Sequence, residues 1–197
     1  MKFAAVLAIA AALGAAPALA DTTVIQADAV IVDADSPPLG RSTVTVTDGR
    51  IVSVEDGWSA VPDGATTVRL EGKTLTPGLI DLHTHLTGDP GGDFWKGATE
   101  PDEWDVVVGA KNARLTALAG FTTVREAGSG RASAFSLRRG TEEGLIQGPR
   151  IVAAGPALAI VGGHGDVNGF RPEVNELLDS GFTCTGAVEC AEKVRLA

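Results

Sequence analysis

The apolar pattern of this chain changes period once, at Thr76-Pro77-Gly78, and that change constrains the fold more than any other feature. Before it, residues alternate with a period of two. Thr23 to Val32 is rich in β-branched side chains, and Thr43-Val44-Thr45-Val46-Thr47 is followed by Asp48-Gly49 and then Ile51-Val52-Ser53-Val54. Two alternating runs joined by Asp-Gly predict a hairpin, because a tight two-residue turn needs positive φ angles. After the change, strand and helix alternate. Leu79 to Leu82 is a short apolar run, and a helix is predicted over about Pro101 to Ala119, with Pro101 in its first turn and Gly120 as its stop. Phe121 to Val124 predicts the next strand, Ala132 to Glu143 a second helix, and Arg150 to Ala154 a third strand. Such alternation predicts βαβ units and a parallel sheet. A last helix is expected from near Gly186, capped by Thr185, with Val188, Ala191, Val194 and Ala197 in phase.

The expected class is therefore α/β, with a β segment over 21–75 and a strand–helix segment over 76–197. A closed parallel barrel of eight strands takes roughly 250 residues. About 120 residues follow Thr76, so the expectation is no more than half of such a barrel, in an incomplete N-terminal portion. Half a barrel would leave strand edges unpaired and an apolar face uncovered, which predicts aggregation or a partner, a homo-oligomer among them.

Residues 1–20 combine Lys2, an Ala/Leu-rich run from Phe3 to Leu19, and the small-residue pattern Ala18-Leu19-Ala20. This layout predicts a secretory signal peptide cleaved after Ala20, and hence a secreted or periplasmic location without a stable membrane span. The rival reading is an anchor helix, since the run approaches the roughly 20 residues needed to span. The mostly Ala composition and the cleavage pattern favour the signal peptide. Its removal takes the formal charge from −9 to −10. A chain this acidic, with no cluster of Lys or Arg, lacks the footprint of a nucleic-acid binder. Cys184 and Cys190 form either a disulfide, which an oxidising compartment permits, or two free thiols. A single C-x5-C pair has neither the spacing nor the partners of a zinc site.

His83 and His85 end the Leu79–Leu82 run two residues apart, so on a strand both side chains project to one side. Imidazoles placed that way can share a divalent ion such as zinc, which lowers the pKa of a bound water and makes a hydroxide nucleophile at neutral pH. The other reading is a chance pair bonded to solvent or backbone. The position at the end of the first predicted barrel strand, where active sites of such barrels form, favours ligation.

Thr76-Pro77-Gly78-Leu79-Ile80-Asp81-Leu82-His83-Thr84-His85 resembles the strand-one signature of the amidohydrolase superfamily. Gly120-Phe121-Thr122-Thr123-Val124-Arg125-Glu126, Gly148-Pro149-Arg150-Ile151 and Gly162-Gly163-His164-Gly165-Asp166 are similar to its imidazolonepropionase-like branch, which includes exported prolidase-like dipeptidases. The resemblance implies a (β/α)8 TIM barrel beside a composite β-sandwich, with one or two divalent metals at the barrel mouth. It implies that His83 and His85 bind the buried metal, with the other ligands and the proton-moving aspartate on strands four to eight, outside this sequence. The implied reaction is hydrolysis of an amide or peptide C–N bond by metal-activated water, on a dipeptide or another small molecule such as a cyclic amide. The contrasting reading is a catalytically inactive truncated product or a noncatalytic binding module.

His164 lies in a glycine-rich segment past the third strand and is a candidate substrate contact, against a structural role on loop carbonyls. Asp166 reads as a turn or cap residue. Arg125 and Glu126 read as a pair at the barrel mouth, more structural than catalytic. Thr87 to Thr99 is long for a βα loop, and it either roofs a pocket with Trp95 and Trp104 or packs them beneath it.

Overall fold

In the computed structural model, which describes residues 21–91 and 94–197, the hairpin forms where Asp48-Gly49 predicts it. Asp48 and Gly49 have φ angles of 49° and 73°, the positive pair that a tight turn between twisted strands requires. The turn joins β2 (Ser42–Thr47) to β3 (Arg50–Asp56). With β1 (Thr22–Val30) and β4 (Thr66–Leu75) they make one mixed sheet in the order β3-β2-β1-β4. β1 runs parallel to β4 and antiparallel to β2. Ala27, Val30 and Val44 form its buried centre. The sequence predicts a sandwich here, and among the described residues this segment supplies a single layer.

The β1–β4 ladder is interrupted between Ala27 and Ala29, where β4 carries Glu71-Gly72-Lys73 opposite Asp28. Gly72 turns through a φ of 65°, and its freed N–H is taken by Asp28 Oδ2 at 2.8 Å. Arg41 Nε donates to the other oxygen of the same carboxylate at 2.8 Å.

The chain divides after Pro77 into two compact units. The second contains β5 (Leu79–Thr84), α1 (Trp104–Leu118), β6 (Phe121–Glu126), α2 (Ser133–Glu142) and β7 (Arg150–Ala153). β5, β6 and β7 pair in parallel and in sequence order, as the alternating pattern predicts. The helices pack on one face of this sheet around Leu86, Ala113, Val124, Leu137 and Ile151. Two glycines permit the close approach. A Cβ on Gly78 would overlap the Thr122 side chain of β6, and one on Gly109 of α1 would stand 2.9 Å from a δ methyl of Leu137. Gly120, with φ of 98°, ends the α1 region in the left-handed conformation, as expected of a glycine stop.

Two local expectations are corrected. Pro101 does not head the α-helix: it begins a preceding turn closed by Trp104 N–H to Pro101 O at 2.9 Å, and α1 starts at Trp104. Within Thr87–Thr99, Phe94–Ala98 forms a 3₁₀ helix. The final helix, α4 (Ala187–Leu196), has Gly186 at its cap position and no cap from Thr185. Glu189 instead reaches back and accepts the N–H of Thr185, the residue before the cap, at 2.7 Å.

After β7 come β8 (Ala159–Ile160), α3 (Pro172–Leu178) and β9 (Thr183–Cys184), with β8 and β9 forming a separate two-stranded parallel ladder. Cys184 and Cys190 are joined as a disulfide that ties β9 to α4. Among the described residues no helix is long and apolar enough to cross a membrane. The expected signal peptide, 1–20, lies outside the described residues.

Candidate functional site

β5 delivers the histidine pair. Its neighbour β6 pairs with it between Leu79 and Thr84, with register shifts after Leu79 and between Asp81 and Thr84, so His83 sits in an irregular stretch of the strand and His85 one residue beyond its end. Their ring centroids are 5.2 Å apart with planes inclined at 67°, and both side chains are exposed. Asp81 Oδ1 accepts the His83 backbone N–H at 3.0 Å, which stiffens the strand end.

The second ring has a defined partner. His85 Nδ1 lies 2.9 Å from the carbonyl oxygen of Gly128. A carbonyl only accepts, so Nδ1 carries the proton and Nε2 keeps its lone pair. Histidines that ligate metals are held in this way by a backbone carbonyl or carboxylate behind the ring. The ring packs close to Gly128, where a Cβ would stand 3.4 Å from His85 Cε1 and, more tightly, 3.2 Å from Ala157 Cβ. Two imidazoles with ring centroids 5.2 Å apart at one strand end suit a divalent ion that favours nitrogen ligands. Among the described residues there is no group of three or more His, Cys, Asp or Glu able to hold a metal, so the described chain offers this pair and not a complete ligand set.

The expected Arg125–Glu126 pair does not form. Consecutive strand residues point to opposite faces, and the two side chains diverge accordingly. Arg125 Nε donates to the Leu82 carbonyl at 2.6 Å. Glu126 turns to the face of β6 that carries Val124 and packs on the helices, where it is completely buried. Its Oε2 accepts the Leu86 N–H at 2.6 Å and faces Thr84 Oγ1 at 3.3 Å, while Oε1 has no hydrogen-bond partner among the described residues. Burial pushes its carboxyl above the ordinary glutamate value, against the opposing pull of the Leu86 N–H, the His85 ring and the Thr84 hydroxyl. The sequence offered a signal for this, the period-two alternation along Phe121–Glu126, but not the contact itself.

His164 lies in the exposed turn after β8. Asp166 closes that turn, its Oδ2 accepting the Gly162 N–H at 2.7 Å, as its reading as a turn residue implies. The structure brings His83 and His85 together, and His164 takes no part in their ring contact. The Thr87–Thr99 segment is fastened to α1: Asn112 Nδ2 donates to the Leu86 and Gly88 carbonyls at 2.9 and 3.0 Å, and Lys111 Nζ bonds Asp89 at 2.6 Å. Trp95 and Trp104 are each about half exposed, at 49% and 47%. A cleft of about 710 Å³, bordered by Asp102, Asp105, Arg131, Phe182 and Lys193 among others, includes none of the three histidines.

The amidohydrolase family matches residues 74–195. Ochratoxinase of Aspergillus niger is 32% identical over 171 residues, covering 82% of this chain and 33% of that protein. Enamidase of Eubacterium barkeri is 34% identical over 111 residues, covering 54% of this chain and 25% of that protein. Among solved structures, a Xaa-Pro dipeptidase with methionine bound in its active site superimposes with a TM-score of 0.73 at 29% identity, covering 89% of this chain and 44% of that one. The chain thus spans about a third of the curated relative it matches over most of its length, and under half of the solved neighbour.

Proposed function

The chain belongs to the amidohydrolase family, and from that premise we propose that it carries part of the active site of a hydrolase acting on an amide or peptide C–N bond, with His83 and His85 as two ligands of a divalent metal. The fold supports the reading, since the described sheet and helices match the N-terminal portion of amidohydrolase barrels. The observation that carries it is the His85 ring: Nδ1–H donates to the Gly128 carbonyl, which leaves Nε2 free to ligate, with the His83 ring centroid 5.2 Å away. When bound, zinc or a similar ion supplies Lewis acidity and lowers the pKa of a bound water. The residues of this chain orient the two imidazoles, and His164, on the loop past β8, is assigned to the substrate. A dipeptide is the favoured substrate, supported by the likeness to a Xaa-Pro dipeptidase, and a cyclic amide is the alternative. An exported enzyme accords with the Cys184–Cys190 disulfide.

Zinc titration of the purified chain, with His83→Ala and His85→Ala alongside, tests the ligand assignment. Binding by the wild type and loss in each variant is expected, and undiminished binding in either variant overturns it. A hydrolysis panel of dipeptides, cyclic amides and esters tests the bond class. Cleavage confined to esters would refute the C–N assignment.

A further inference from the structure

A buried carboxylate is costly unless its hydrogen bonds are satisfied, and Glu126 is buried with one oxygen bonded and the other without a partner among the described residues. An apolar side chain would suit that position against the helices better, so packing does not account for it. Its contacts do. Oε2 bonds the backbone N–H of Leu86, the residue after His85, and faces the hydroxyl of Thr84, the residue before it. The same strand end continues to Gly128, whose carbonyl receives the His85 ring.

We propose that Glu126 is the positioning residue for His85, gripping the chain on both sides of it so that the ring meets the Gly128 carbonyl and presents Nε2. The proposal takes the ligand role of His85 from the function proposed above, but its physical content, control of the ring's tautomer, is measurable without any metal. Glu126 is not a catalytic residue. Its side chain lies on the helix-packed face of β6, whereas Arg125 and its neighbours two positions away lie on the other. The main-chain bond from Ala127 N–H to Thr84 O, at 2.9 Å, brings β5 and β6 together, and Asn112 of α1 holds the Leu86 and Gly88 carbonyls, but neither takes the Leu86 N–H. The Glu126 carboxylate takes that N–H and ties the chain after His85 to β6, at a length that leaves no slack: 2.6 Å to the Leu86 nitrogen. Aspartate, one methylene shorter, cannot reach from the same backbone, whereas glutamine keeps both reach and an accepting oxygen.

The chain has three histidines, so long-range ¹H–¹⁵N correlation spectra of the labelled full chain resolve each ring. Spectra are recorded well above the ordinary imidazole pKa of about 6.5, where the rings are neutral. The wild type should show His85 predominantly as the Nδ1–H form. Glu126→Asp should shift it toward the mixture of an unrestrained ring while His83 and His164 stay unchanged, and Glu126→Gln should keep the wild-type form. Zinc titration of the same samples should show affinity about 10-fold or more weaker for the aspartate variant, the scale of a lost supporting contact. An unchanged His85 ring in Glu126→Asp overturns the proposal, as does a mixed tautomer already present in the wild type. Should the aspartate variant fail to fold, Thr84→Val replaces it, with Thr84→Ser as its control because the hydroxyl bonds the Arg125 carbonyl at 3.2 Å as well as Glu126: a smaller shift of His85 in the valine variant and none in the serine variant is expected, and no shift in the valine variant overturns the proposal. The two readings separate cleanly. Zinc binding undiminished in His85→Ala, with a tautomer that still moves in Glu126→Asp, removes the ligand assignment and keeps the positioning. Zinc lost in His85→Ala, with neither tautomer nor affinity altered in Glu126→Asp, does the reverse.

Discussion

Leu137 of α2 is completely buried in the core beneath the histidine-bearing strand end, and one of its δ methyls lies 2.9 Å from the position a Cβ on Gly109 would take. The two positions should therefore be coupled strongly enough to reverse the sign of a mutation. Truncating Leu137→Ala removes three carbons and should cost about 2–5 kcal/mol, combining lost transfer energy with a residual cavity. Gly109→Ala alone gains about 1 kcal/mol of helix propensity. It also forces a methyl against the leucine, an overpacking that costs roughly 1–3 kcal/mol, so the net effect is neutral to destabilising by up to about 2 kcal/mol. With Leu137 truncated the obstruction is gone. The next neighbour of the new methyl is Thr87 Cγ2 at 3.5 Å, an ordinary contact. Only the propensity gain and some filling of the cavity remain, so the same Gly109→Ala should stabilise the Leu137→Ala background by about 1 kcal/mol. Native-state hydrogen exchange of amides in α1, α2 and β6 reads the cycle. An effect of Gly109→Ala that is equal in both backgrounds, within about 0.5 kcal/mol, would refute the claim that Leu137 is why residue 109 is a glycine.

Gly78→Ala should weaken the β5–β6 pairing, because its methyl would overlap Thr122, and Thr122→Gly should restore it; loss of exchange protection in β5, recovered in the double variant, is the expected result. The Gly72 N–H and the Arg41 guanidinium hold the Asp28 carboxyl below the ordinary aspartate value. A depressed folded value means that its stabilisation is present above the unfolded carboxyl pKa of about 3.9 and is lost as pH falls through the lower folded value. Asp28→Asn should accordingly flatten the acid side of the sheet's stability curve, and an Asp28 NMR titration midpoint at or above the ordinary value would contradict this. Reducing the Cys184–Cys190 disulfide, with its sequence separation of 6, should cost about 2 kcal/mol in α4 by loop-closure entropy. Exchange protection should fall in α4 and stay constant in β5 and β6.

The parts of the fold legible in the sequence are those fixed by local stereochemistry. Asp48-Gly49 names a turn because few residue pairs accept φ angles of 49° and 73° together, and Gly120 names a stop for the same reason. The βαβ order followed from runs long enough to show their period. α3 has 7 residues and β8 and β9 have 2 each, too short for a period to register, although Arg171-Pro172 carried the helix-start signal of a proline in the first turn. The interruption opposite Asp28 had one local signal, Gly72 in the interior of β4, but which residue it faces is a matter of strand register. The site divides along the same line. His83 and His85 were visible because spacing two on a strand sets their direction, whereas the roles of Gly128 and Glu126 depend on contacts 43 and 40 residues apart in the chain. Alternation along β6 was sufficient to separate Arg125 from Glu126, but not to show that Glu126 would find the Leu86 amide. What converts two nearby imidazoles into an oriented pair is thus supplied by the strand next door, and it became visible only once β5 and β6 were in register.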